Sequence, residues 1–155
     1  MKMEIEIAIK PREKKLSDFL PPRIINELRE KHCRVEIVDS LPNDAWGSYD
    51  PDEDVIRLSA SSNWEKVAEA KARAWEITVE KEAAFVAVIF HELYHFEHRR
   101  DSQRIREGGR SLGQLLAFKR ELDIEAEAYA ANRFFSWKMN YWEQGDFVAW
   151  KAKCK

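Results

Sequence analysis

Met3, Ile5, Ile7 and Ile9 alternate with Glu4, Glu6 and Ala8, the period-two pattern of a half-buried strand. Pro11 and the charged run 12–15 end it. Pro21-Pro22 opens a helix with Ile24, Ile25 and Leu28 on one face, running to about Lys31. Cys33, Val35 and Ile37 alternate with Arg34 and Glu36 and predict a second strand. Trp46-Gly47-Ser48-Tyr49 leads into Asp50-Pro51-Asp52-Glu53-Asp54, dense turn chemistry, and Val55–Ser59 leads out: a hairpin. From Trp64 the pattern is helical to about Arg100, with β-branched Ile77-Thr78-Val79 marking a break. The second helix is therefore expected over 78–100. Gly108-Gly109 reads as a loop, and a long helix is expected over 111–138. The aromatic stretch 141–150 predicts a short packed helix. Strands come first and helices dominate later, so the expectation is an α+β fold in one domain, 1–155.

Composition narrows the classes. The chain has 155 residues, 45% of them apolar and 35% charged, which is enough for a real core and excludes wholesale disorder. A net charge of −2 argues against a broad nucleic-acid-binding surface. Arg99, Arg100, Arg104, Arg106 and Arg110 form a local basic cluster that reads as a solvated or partner-docking face, and no nucleic-acid motif accompanies it. Cys33 and Cys154 form no disulfide framework or zinc-ribbon spacing and read as free thiols. The start of the chain has no signal-peptide core. The longest apolar run, 83–90, is far short of the about 20 residues of a membrane span. A soluble, cytoplasmic protein is expected.

Three of the four histidines, His91, His95 and His98, fall within one predicted helix. His91-Glu92-Leu93-Tyr94-His95 is H-E-x-x-H. Residues i and i+4 share a helix face, so two imidazoles at this spacing can grip one Zn²⁺ while Glu92 acts as general base towards a zinc-activated water. The bland alternative is a histidine pair satisfied by hydrogen bonds, with Glu92 in an ordinary ion pair. His98 lies about 10 Å along the axis from His91, too far for three ligands from one straight helix, and belongs to the rim or surface. The pattern H-E-x-x-H-x-x-G-x-x-H also fails, since His98 stands at its glycine position and position 101 has no histidine.

Two histidines and a water leave tetrahedral zinc one ligand short. Glu121-Leu122-Asp123-Ile124-Glu125-Ala126-Glu127-Ala128-Tyr129-Ala130 mixes acids with alanines that permit close helix approach. Glu125 shares a stripe with Phe118, Leu122 and Tyr129; Glu127 falls on a second, with Leu116, Ile124, Ala131 and Phe134. Periodicity leaves both open, with Glu125 favoured because a surface carboxylate does not usually sit on such an apolar stripe.

At these residues the chain resembles the gluzincin metallopeptidases, in which H-E-x-x-H is completed by a glutamate on a later helix. More narrowly, it is similar to the small ImmA/IrrE-like peptidases. The matching parts are 49–59, the H-E-x-x-H helix and Glu125-Ala126-Glu127-Ala128; the first forty residues match no pattern. The resemblance implies a zincin-like fold and a zinc metallopeptidase in which His91, His95 and Glu125 hold Zn²⁺ and Glu92 is catalytic. Where the family continues with Asn or Asp to orient a histidine, this chain has Tyr129, so Asn132 or Asp123 would have to substitute. Tyr129, Tyr141 and His98 are candidates for stabilising the oxyanion. The resemblance further implies a peptide or protein substrate laid along an edge strand, with Val55–Ser59 the natural candidate. The alternative from another class is a non-catalytic, zinc-binding regulatory or interaction module.

Overall fold

The computed structural model describes residues 5–7, 20–109 and 111–141. The flanks of the first predicted strand, the stretch 142–150 and Cys154 lie outside the described residues. The elements are β1 (Ile5–Ile7), α1 (Pro22–Glu30), β2 (Arg34–Val38), β3 (Gly47–Asp50), β4 (Val55–Ser59), α2 (Trp64–Trp75), α3 (Ala84–Glu97), α4 (Arg99–Glu107) and α5 (Leu112–Tyr141). The α+β expectation is met, with a small sheet in the first part of the chain, α1 between its first two strands, and the other helices after it.

The sheet order is β1-β2-β4-β3. β1, β2 and β4 run parallel, and β3 pairs antiparallel with β4 as the hairpin partner. β4 is therefore interior, bonded to β2 on one side and β3 on the other. The expectation that Val55–Ser59 is an edge strand is corrected: the edges are β3, next to β4, and β1 at the far side. The physical reason is the parallel β2–β4 pairing, a contact between segments separated by residues 39–54, β3 among them, which no local pattern announces. Val55, Ile56 and Leu58 are fully buried, as suits a strand covered on both sides.

The hairpin turn is built by Asp50, whose Oδ1 accepts from the N–H groups of Asp52 at 2.9 Å and Glu53 at 3.3 Å. Arg57 ties the face of the sheet away from α3, bonding Glu36 at 3.0 Å and Asp50 at 2.9 Å.

α3 is the central element. It packs against β3 and β4 on one side and α5 on another, with α2 beside it. Residues 84–90 are buried all round, which is why this helix shows an unbroken apolar run rather than a stripe. Each large side chain buried here contributes about 1.5–3 kcal/mol from removal of apolar surface from water. Trp64 stacks on Phe85 at 3.8 Å, joining the start of α2 to α3.

The break between α2 and α3 is wider than the β-branched triplet implied. α2 ends at Trp75, Glu76 adopts a left-handed conformation (φ 57°), and α3 begins only at Ala84. Lys138 of α5 holds this connection by bonding the Thr78 carbonyl at 2.5 Å and pairing with Glu80 at 3.2 Å. α3 also stops early. His98 leaves helical geometry (φ −108°, ψ 19°), and α4 follows as a separate helix that the sequence pattern did not separate.

α5 starts with a reciprocal cap. Ser111 Oγ accepts from Gln114 N at 3.2 Å, and Gln114 Oε1 accepts from Ser111 N at 3.0 Å. Its seam towards the core is Ala126, Ala130, Phe134 and Trp137, all buried. The alanines let α5 come close to α3, and that approach brings carboxylates to the histidines. Among the described residues no helix is long and apolar enough to cross a membrane.

Candidate metal centre

His91 and His95 lie one turn apart on α3, with ring centroids 5.2 Å apart, and both face α5. Asp123 of α5 meets them. Its Oδ1 lies 3.1 Å from His95 Nε2 and 4.0 Å from His91 Nε2. One ligand atom from each of the three residues falls within 4.8 Å of the others. Donors around a tetrahedral zinc, each at about 2.0–2.1 Å, stand about 3.3 Å apart, so small side-chain adjustments suffice for a shared ion. Two imidazoles and a carboxylate are a donor set that suits Zn²⁺.

Glu125 is not brought to the histidines. Two residues along a helix is a rotation of about 200°, so Asp123 and Glu125 face nearly opposite ways. Glu125 is exposed, and its Oε2 accepts from the Tyr94 hydroxyl at 2.5 Å. Asp123, not Glu125, is the α5 carboxylate that lies beside both histidines. The apolar stripe chosen from the sequence was real, but Phe118 and Leu122 line an open groove rather than the α3 seam.

Glu127, one turn after Asp123, reaches the other nitrogen of His91: Oε1 lies 2.9 Å from Nδ1. A carboxylate there keeps the proton on Nδ1 and leaves Nε2, the nitrogen facing Asp123, as the free donor atom. Glu127 is itself held. Lys71 Nζ donates to both its oxygens at 2.7 Å, and Trp75 Nε1 donates at 3.0 Å. Burial works to raise the Glu127 carboxyl, but the bonds from His91 and Lys71 outweigh it and hold it down at about 2. Lys71 and Trp75 of α2 carried no sequence signal, because lysine and tryptophan on an amphipathic helix usually serve solvent and core.

Glu92 is buried on the groove side of α3. Burial pushes its carboxyl up to about 7, with Asp123 adding in the same direction and His91 opposing. His95 is shifted down, first by burial and then by the neighbouring His91. His98 stays outside the cluster. Its ring stacks on Tyr94 at 4.0 Å and its Nδ1 lies 2.9 Å from the Tyr94 carbonyl. Tyr129, considered as an oxyanion partner, instead donates to Glu97 at 2.7 Å and accepts from Arg133 at 2.8 Å.

The cluster opens into a groove of about 770 Å³ between β3 and the first half of α5, with His91, Glu92, His95 and Asp123 on its floor. Comparison with known proteins brings no match among protein-family models, curated proteins or solved structures.

Proposed function

We propose that the protein is a zinc-dependent peptidase whose metal is held by His91, His95 and Asp123. The observation that carries this reading is the convergence of both H-E-x-x-H imidazoles on one carboxylate, at the floor of a groove, with a further buried carboxylate, Glu92, beside them and not among the donors. A structural zinc site normally spends four protein ligands and closes; three donors beside a groove leave a position open. When bound, zinc supplies Lewis acidity that polarises a carbonyl and acidifies a water.

The chain's own residues supply the remainder. Glu127 orients His91 through Nδ1, with Lys71 and Trp75 holding the carboxylate in place. Glu92 receives the proton of the attacking water and returns it to the departing amine nitrogen as the C–N bond breaks. Burial of Glu92 keeps bulk water from competing for that proton.

Metal analysis of purified protein, with Asp123→Ala, Glu125→Ala and Glu92→Gln, tests the reading. Wild type should carry about one zinc, Asp123→Ala should lose it, and Glu125→Ala should keep it. Glu92→Gln should keep zinc and lose peptide cleavage by about 100-fold or more. Full cleavage by Glu92→Gln, or zinc retained by Asp123→Ala, sinks the assignment.

A further inference from the structure

We propose that the end of the groove beyond His95 is a carboxylate subsite, where Arg99 and Lys119 hold an acidic group of a peptide about two residues from the scissile bond. The proposal deepens the peptidase reading and rests on it for the ligand being a peptide. The charge argument stands apart from that reading.

The first observation is the register of α3 against α5. His91 meets Glu127 at 2.9 Å, and His95 meets Asp123 at 3.1 Å. Four residues forward along α3 therefore correspond to four residues back along α5, as in two antiparallel helices. The next step pairs Arg99 with Lys119. Helical spacing reaches that far, because His98 N still donates to the Tyr94 carbonyl at 3.0 Å. Both Arg99 and Lys119 line the groove that holds His91, Glu92, His95 and Asp123. One step of four residues is about 6 Å along a helix, which an extended peptide covers in about two residues.

The second observation is charge. At the first two steps a histidine faces an acid. At the third, two cations face each other. Lys119 is exposed and makes no ion pair or hydrogen bond among the described residues. Arg99 has its charge answered only in part. Its Nε lies 3.6 Å from Asp54 Oδ1, too long for a hydrogen bond, and the same oxygen accepts from the Tyr49 hydroxyl at 2.5 Å. Two cations and one shared carboxylate leave a single positive charge, which suits a singly charged carboxylate.

The third observation is that Arg99 is held in place by the protein itself. Its Nη1 donates to the Phe96 carbonyl at 2.7 Å, and its Cζ lies 4.2 Å from the centre of the Phe96 ring. Nη2 has no partner among the described residues. A guanidinium fixed in this way loses little freedom on binding, and its remaining N–H groups match carboxylate oxygens.

The test measures binding of fluorescent six-residue peptides to zinc-loaded Glu92→Gln protein and maps cleavage by zinc-loaded wild type. The peptides come in matched pairs on an alanine background: a C-terminal carboxylate against a carboxamide, and Asp against Asn at each position in turn. One acidic member should bind about tenfold or more tightly than its neutral partner, and its position tells a chain end from a side chain. The double variant Arg99→Gln, Lys119→Gln should lose this preference while keeping zinc and the affinity for neutral peptides. Lys119→Glu, at an exposed position, should favour the neutral member instead. Equal binding within every pair, or no peptide binding at all, overturns the inference. So does a preference that survives the double variant, since the carboxylate then sits on the metal. Phosphoserine binding more tightly than Asp at the same position overturns the choice of carboxylate. The expected preference without cleavage by wild type leaves the subsite standing and defeats the peptidase reading; cleavage indifferent to the carboxylate does the reverse.

Discussion

Gly47 sets how closely the edge strand approaches α3, and Gly47→Ala tests that role. A Cβ at this position would lie 2.6 Å from Val88 Cγ1 and 3.2 Å from Leu58 Cδ2, where ordinary carbon contacts are about 3.5–4.0 Å. Val88 is buried in the middle of α3, one turn before His91, and cannot swing away. Replacing glycine within a strand normally stabilises by about 0.5–1 kcal/mol through reduced unfolded-chain entropy. Overpacking opposes this with about 1–3 kcal/mol, so the net expectation is a loss of about 1–2 kcal/mol. In a chain of this size that lowers Tm by about 3–6 °C. Val88→Ala alone removes two buried methyl groups and should cost about 2 kcal/mol. The double variant should be less destabilised than the sum of the two by about 1 kcal/mol or more, because the truncated side chain vacates the space that the new Cβ needs. Urea denaturation of the four proteins closes the cycle. A Gly47→Ala protein as stable as wild type, or strict additivity with Val88→Ala, refutes the close-approach argument.

Lys71→Met should weaken zinc affinity by about 10–100-fold, since Glu127 then loses the cation that aims it at His91; competition with a chromophoric chelator measures this, and an unchanged affinity refutes it. Cys33 is buried, and burial pushes its thiol up to about 12. Its folded value stands above the unfolded one, so this contribution to stability is complete below about pH 8.5 and is lost as the pH rises from there towards 12. Cys33→Ala should flatten that decline in denaturation curves, and an equally steep decline in the variant contradicts the assignment.

The shared face of His91 and His95 was legible because it is local: five residues spanning about one helical turn decide it. The strands and most of the helices were legible for the same reason, as with Val35 and Ile37 or with Ile24, Ile25 and Leu28. Which carboxylate reaches the histidines was less so. α5 carries apolar residues over much of its circumference, so two or three stripes compete on paper for the core. The small residues Ala126 and Ala130 mark the true seam, while bulkier Phe118 and Leu122 suggest another. The spacing of Asp123 and Glu127, four residues like that of His91 and His95, was a signal in the sequence. The apolar stripe of Phe118, Leu122 and Tyr129, together with the family resemblance, points to Glu125 instead.

The sequence by itself determined the element types, the α+β order and the histidine pair with its adjacent glutamate, because periodicity and helical spacing act over a few residues. Tertiary structure alone decided which carboxylate reaches the histidines, which strand is the edge and what holds Glu127. Each of those depends on how one element is rotated or ordered against another far away in the chain. Asp123 and Glu125 differ by a rotation of α5, and β3 becomes the edge only because β2 claims the other side of β4. Such choices are settled by the packing of α5 and of the sheet on α3, where many weak contacts compete at once.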